Sequence, residues 1–232
     1  MLLSSTATAQ NMSTLLEPYS VTYKTKARGL TMTLERSLSI TDDGHFSLAN
    51  SGKILLAGFI ETSLFDLIGS TIVPKRYVYR GTGLIQRKRE LIFSPSEGKV
   101  ESLKDSEWHS VDIGPNTYDR VSQLEQLRLN LLNGAEPTQD FSVEIIDGNR
   151  VKRYTFKFTG FEQLDTPLGT INTLQYTRGG EDNERESKIW LATDWQYLMV
   201  KTTHIENDTI VEAMIQTGSI ADQLIAVKPL AE

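Results

Sequence analysis

The chain has 232 residues, 39% hydrophobic and 23% charged, with 24 basic against 30 acidic side chains and a net charge of -6. That length can bury a core without covalent staples, and the acidic balance excludes a general nucleic-acid binder, which needs a basic footprint on phosphate. No apolar run approaches the roughly 18 residues of a transmembrane helix, and the absence of cysteine removes thiol catalysis, disulfides and thiolate metal sites together.

The opening MLLSSTATAQ ends in Ala7-Thr8-Ala9 before Gln10, the small-x-small pattern read by signal peptidase, without the basic start and full apolar segment of a complete signal. The expectation is a signal-peptide remnant over 1–9, export to the periplasm, one β-rich domain over 10–220 and a C-terminal tail over 221–232. The alternative for the start is a short disordered terminus.

Val21, Tyr23 and Thr25 then alternate with their neighbours as in a half-buried strand. Turn chemistry recurs at Asp42-Asp43-Gly44, Asn50-Ser51-Gly52, Ser94-Pro95, Asp147-Gly148-Asn149, Gly179-Gly180 and Glu206-Asn207-Asp208, with runs rich in Val, Ile, Thr, Tyr and Phe between. These intervals are too short for βαβ units and fit antiparallel hairpins. The cluster Leu64, Phe65, Leu67 and Ile68 before Gly69 suggests a short helix or turn over 61–68. Lys75, Arg76, Arg80, Arg87, Lys88 and Arg89 follow, with no acid until Glu90. They read either as a site for an anionic group or as a solvated, aggregation-resistant strand face.

In YDRVSQLEQLRLNLLNG, Val121, Leu124, Leu127 and either Leu131 or Leu132 recur at helical spacing. Ser122 with Glu125 has the form of a capping box, Asp119 is an alternative N-cap and Gly134 a good C′ residue. One amphipathic helix of about three to four turns is predicted, its stripe wide enough to lie in the concavity of a curved sheet. Downstream, Tyr154, Phe156 and Phe158 alternate with Arg153, Thr155 and Lys157, the clearest period-2 pattern in the chain. In ESKIWLATDWQYLMVK, Thr193-Asp194 is turn chemistry, Trp190 belongs to the incoming strand and Trp195 lies at or just past the turn. The pair reads as a hairpin core or as an aromatic ligand platform.

Catalytic patterns are absent. His45, His109 and His204 stand alone without metal-ligand spacing, and His109-Ser110 would point to opposite faces of a strand. Asp42-Asp43 and the acids Glu181, Asp182 and Glu184 belong to turns and polar loops, and Gly81-Thr82-Gly83 lacks the third glycine of a nucleotide loop. No catalytic residue, metal or cofactor is expected.

The blocks Tyr118-Asp119 with Ser122, Leu127-Arg128, Thr166-Pro167-Leu168-Gly169 and Ile189-Trp190-Leu191-Ala192 with Asp194 resemble, in order and spacing, the exported bacterial family called domain of unknown function 3108. The resemblance runs from about Pro18 to Gly218. It implies a periplasmic β-rich fold and supplies no catalytic residues.

The expected fold is mainly β, a large curved antiparallel sheet of half-barrel or barrel-like form with one helix packed in its concavity. The expected function is non-enzymatic binding of a lipid or other hydrophobic ligand between sheet and helix. Leu124, Leu127 and Leu131 would face Tyr154, Phe156 and Trp190, with the six cations of residues 75–89 meeting an anionic head. The alternatives are a cell-envelope interaction module with a protein partner and, from a different class, an envelope glycan-acting hydrolase.

Overall fold

The structure, a computed structural model, describes residues 15–27, 30–54, 56–84, 86–180, 186–206 and 209–226. The signal-peptidase pattern at residues 7–9 and the acids Glu181, Asp182 and Glu184 lie outside these residues.

Alternating β-branched or aromatic and polar residues make the first half of the chain a continuous meander. It comprises β1 (Tyr19–Ala27), β2 (Leu30–Ile40), β3 (Phe46–Ile54), β4 (Ala57–Ile68), β5 (Thr71–Gly83), β6 (Lys88–Ser94), β7 (Lys99–Lys104) and β8 (Glu107–Asp112). The short β9 (Thr117–Tyr118), the helix α1 (Ser122–Leu132) and β10 (Phe141–Asp147) follow. A second meander closes the chain with β11 (Arg150–Thr166), β12 (Gly169–Gly180), β13 (Ser187–Ala192), β14 (Leu198–Glu206), β15 (Thr209–Ile220) and β16 (Gln223–Leu224).

Strand β1 is hydrogen-bonded to β2 on one side and β15 on the other, which fuses both meanders into one sheet running from β8 to β9. The sheet curls without closing: β8 and β9 do not pair with each other among the described residues. The seam is held instead by side chains. Arg89 Nη1 donates to Asp147 Oδ1 at 3.3 Å, and Ser102 Oγ donates to the Gly148 carbonyl. Gly148 sits at φ +66°, where the left-handed backbone favours glycine, and a Cβ there would meet only the flexible Lys104 side chain of the opposite edge at 2.9 Å.

The pairing of β9 with β10 is parallel, an exception to the antiparallel pattern. Parallel neighbours require a crossover, and α1 supplies it by passing through the interior of the curled sheet. The helix therefore lies in the concavity, as its leucine spacing predicts, but its polar side is not wet: residues 122–129 are all buried.

The capping differs from the S-x-x-E reading. Asp119 Oδ1 accepts from the backbone amides of Val121 and Ser122 at 2.9 and 3.0 Å, and its Oδ2 accepts from Ser63 Oγ and Ser122 Oγ. Glu125 turns away from the helix start to meet charges on the sheet. The short helix expected over 61–68 is also corrected, because this segment is the second half of β4, with Phe65 fully buried and Ile68 exposed. Burial alternates through Glu61, Ser63 and Phe65, and the bulge opposite Leu64/Phe65 falls on Lys75 of β5. Polar residues at two inward positions and Leu64 on the other face leave the apolar residues at helix-like spacing. At the C-terminus β16 pairs with β15 and Ile225 is buried in the core.

Asp119 accepts four hydrogen bonds in a dry environment. Asp119→Ala is expected to cost at least about 2 kcal/mol, combining a lost cap with stranded Ser63 and amide donors. Urea denaturation measures this, and a loss near zero would show that the cap does not hold the helix.

Candidate functional site

Helix α1 is fixed to the sheet through a buried charge network. Glu125 Oε1 accepts from Tyr19 Oη on β1 at 2.7 Å and from Arg36 Nη2 on β2 at 2.9 Å. Its Oε2 accepts from Arg128 Nη1, one helical turn on. Arg36 also donates through Nε to Tyr19 Oη at 2.8 Å and through Nη1 to Asn50 Oδ1 at 3.0 Å. Arg128 lies over the Tyr19 ring at 4.9 Å and donates through Nε to the Gln196 carbonyl at 3.1 Å. Burial alone would raise the Glu125 carboxyl, but Arg128 and Arg36 outweigh it and hold the group down to about 2.

Arg36 extends this network to the wall of a cavity. The cavity, of about 380 Å³, lies between the N-terminal half of α1 and the inner faces of β11 to β14. Its apolar lining includes Leu124, Phe156, Ile189 and Met199, and its polar lining includes Arg36, Arg120, Arg178 and His204. Strand parity explains the set. Phe156 pairs with Arg178, Arg178 with Ser187 and Ile189 with Thr202, so all five side chains share the inner face. An adjoining hollow of about 250 Å³, which shares Arg120, is lined by Phe59, Glu61, Tyr79, Arg87 and Arg89. Glu61 there is bonded to Tyr77 Oη at 2.6 Å and to Asn50 Nδ2 at 3.2 Å.

The residues singled out from the sequence are divided by this geometry. Leu124 and Phe156 line the cavity. Tyr154 stands beside it, its ring under the Arg178 guanidinium at 5.1 Å. Leu127 and Leu131 are buried in the core and do not line the cavity wall. Trp190 is separated from the group: Ile189 faces inward, so its neighbour Trp190 faces outward. There its Nε1 donates to Glu162 Oε2 at 2.7 Å and Lys201 Nζ covers its ring at 4.9 Å. Trp195 lines a different hollow with Glu17 and Ile225, so the two tryptophans do not form one platform.

The six-cation run is divided by the same parity. Tyr79 pairs with Arg89 and Arg80 with Lys88. Arg87 and Arg89 therefore point inward, while Arg76, Arg80 and Lys88 point outward. Outside, Arg76 and Lys88 pair with Glu90, and Lys75 pairs with Asp66 at 3.2 Å. Reading from sequence missed Arg36, Arg120 and Arg178. Parity with Phe156 could have placed Arg178 once the β11–β12 hairpin was registered; nothing local marks the other two.

A curled, open sheet wound around an internal helix, with a mixed polar and apolar cavity at one end, defines a β-barrel-like protein with an interior cavity. The chain belongs to the family described as protein of unknown function DUF3108, whose model matches residues 18–213. Its fold is similar to the crystal structure of a beta-barrel-like protein of domain of unknown function DUF1849 from Brucella abortus, with a TM-score of 0.63 and 11% identity over 89% of this chain and 99% of that one. A candidate lipoprotein from Parabacteroides distasonis matches at a TM-score of 0.34 and 12% identity, over 88% of this chain and 96% of that one, too weakly to bear on the fold. No curated protein matches the sequence at a significant level.

Two outcomes follow from this geometry. The folded Glu125 value lies below its ordinary value of 4.5, so its stabilisation is complete above about pH 4.5 and lost as pH falls toward 2. Glu125→Gln should flatten that part of the acid profile and cost about 3–5 kcal/mol at neutral pH by stranding two buried guanidiniums; an acid profile unchanged by the substitution would sink the assignment. Trp190→Ala should cost roughly 3–5 kcal/mol in denaturant melts, acting through folding alone.

Proposed function

We propose that this protein is an exported, periplasmic binding protein that works by holding a lipid-like ligand inside the curled sheet rather than by catalysis. The observation that carries the reading is the cavity of about 380 Å³ beside α1, a volume within the range of small-molecule sites. A solid interior would have favoured a purely interacting module. The wall suits an amphiphile, since Leu124, Phe156, Ile189 and Met199 offer an apolar surface next to guanidiniums. Binding is favoured over hydrolysis because, among the described residues, the cavity wall carries no carboxylate. The described acids around it are engaged, Glu125 with two arginines, Asp119 with the helix start and Glu61 with Tyr77 and Asn50.

The test is native mass spectrometry, with organic extraction, of the mature protein purified from its own periplasm without detergent. A stoichiometric small molecule is expected on the wild type. Leu124→Trp and Met199→Trp, which fill the cavity, should abolish it while the variants keep a cooperative thermal transition. A clean apo mass, together with no thermal stabilisation by a panel of lipids, would overturn the reading in favour of an envelope interaction module.

A further inference from the structure

The chain carries a net charge of -6, yet two hollows that share Arg120 are lined by Arg36, Arg87, Arg89, Arg120 and Arg178 against a single acid, Glu61, among the described residues. Two of these arginines are accounted for. Arg36 is held by Glu125 and Asn50, and Arg89 by Asp147. No hydrogen-bonded carboxylate serves Arg87, Arg120 or Arg178 among the described residues, although at Arg120 burial is outweighed by the Glu61 charge in the same hollow, which raises its pKa. Arg178 is the most exacting case. Its Nε is buried with no hydrogen-bond partner among the described residues, and it contacts the Tyr154 ring through its face. Burial pushes its pKa down, as expected for a cation removed from water without a counter-charge.

Arg178 as a whole is half-buried, but a guanidinium whose Nε is cut off from water in that condition costs stability unless something outside the chain pairs with it. The group that fits a planar fork of N–H donors best is an oxyanion, carboxylate or phosphate, which accepts two parallel hydrogen bonds. The apolar wall formed by Leu124, Phe156, Ile189 and Met199 adjoins the same guanidiniums, so one molecule can meet both. We propose that the cavity recognises its ligand by an anionic head, a phosphate or carboxylate, held by Arg120 and Arg178 while the apolar part lies against Leu124, Phe156, Ile189 and Met199. This rests on the cavity being a binding site, and the arms of the test separate the two ideas.

Delipidated protein is titrated calorimetrically with decyl phosphate, decanol and inorganic phosphate, in the wild type, Arg178→Gln and Arg120→Gln. Decyl phosphate should bind the wild type at least about tenfold more tightly than decanol, a gap expected of charge-assisted pairing. Both substitutions should close most of that gap, and inorganic phosphate alone should bind far more weakly than the alkyl phosphate. Without ligand, Arg178→Gln should melt at the same or a higher temperature than the wild type, because an unpaired buried charge has been removed. Equal binding of decyl phosphate and decanol overturns the anionic head and leaves the cavity reading intact. No binding by either overturns both. Inorganic phosphate binding as tightly as decyl phosphate supports the anion site and removes the amphiphile. A lower melting temperature for Arg178→Gln with the gap unchanged shows that Arg178 is paired within the chain, and overturns its role.

Discussion

A helix inside a curled sheet has no solvent side, and every polar group it carries must find a partner on the surrounding wall. In this protein that constraint is met at Glu125, which sits between Arg36 of β2, Tyr19 of β1 and Arg128 of its own helix. Desolvating three charges is expensive, and such a network tolerates only the arrangement in which each is paired. The same logic runs along most of α1, with Gln123 Oε1 and Arg128 Nη2 the buried atoms left without a partner among the described residues. Gln126 accepts from the Ile72 amide and donates to the Ser70 carbonyl at the β4–β5 turn. Arg128 reaches the Gln196 carbonyl, in a connection where Gln196 and Tyr197 both adopt positive φ. Asp119 ties the helix start to Ser63 of β4. Helix α1 is thereby located against both meanders at once, which an apolar stripe alone would leave free to slide.

Fixing the helix in this way also determines where the interior stays empty. At 11 residues, α1 spans about 16 Å. A 12-residue strand such as β4 extends for about 40 Å, and even when tilted the wall outruns the helix. The core side chains of α1, Leu127, Leu129 and Leu131, fill the space around its C-terminal part. Beyond its first turn the wall continues without it, and the cavity occupies that end. The open seam is compatible with this arrangement because β6 and β7 are held to the β10–β11 turn by Arg89 and Ser102, so the curl does not depend on a continuous ladder of backbone hydrogen bonds.

Much of this architecture was legible from local pattern. Turn residues at hairpin spacing, the alternation of Tyr154, Phe156 and Phe158, and the leucines of α1 specify a curved sheet with one helix. The failures have physical causes. Ser122 and Glu125 stand three apart, as in a capping box, but a buried Glu gains more from two guanidiniums than from a backbone amide, so tertiary charge overrode the local motif. The segment 61–68 looked helical because its inward positions include the polar Glu61 and Ser63 while Leu64 and Ile68 lie on the other face. The six-cation run looked like one patch because charge density was read without parity; Tyr79 opposite Arg89 is what sends Arg87 and Arg89 inward. Arg36, Arg120 and Arg178 lie on three separate elements, and only the fused topology through β1 and β15 brings them to one cavity.

The electrostatics of that cavity run against those of the molecule as a whole. An acidic chain repels anions at long range, but screening confines that effect to about a Debye length, roughly 8 Å in physiological salt. Inside the wall the nearer guanidiniums dominate, in surroundings of lower dielectric where each pairing is worth more than at the surface. Of the outward cations next to them, Arg76 and Lys88 pair with Glu90 and Lys75 pairs with Asp66, which reduces the field they add at the mouth. Charge on this protein is thus sorted by face: paired and screened outside, and concentrated with incomplete internal compensation within. A fold selected for stability alone would gain by replacing Arg178 with an apolar residue of similar volume. Its presence next to Phe156 and Ile189 is the physical reason for proposing that the interior is a site rather than an imperfectly filled core.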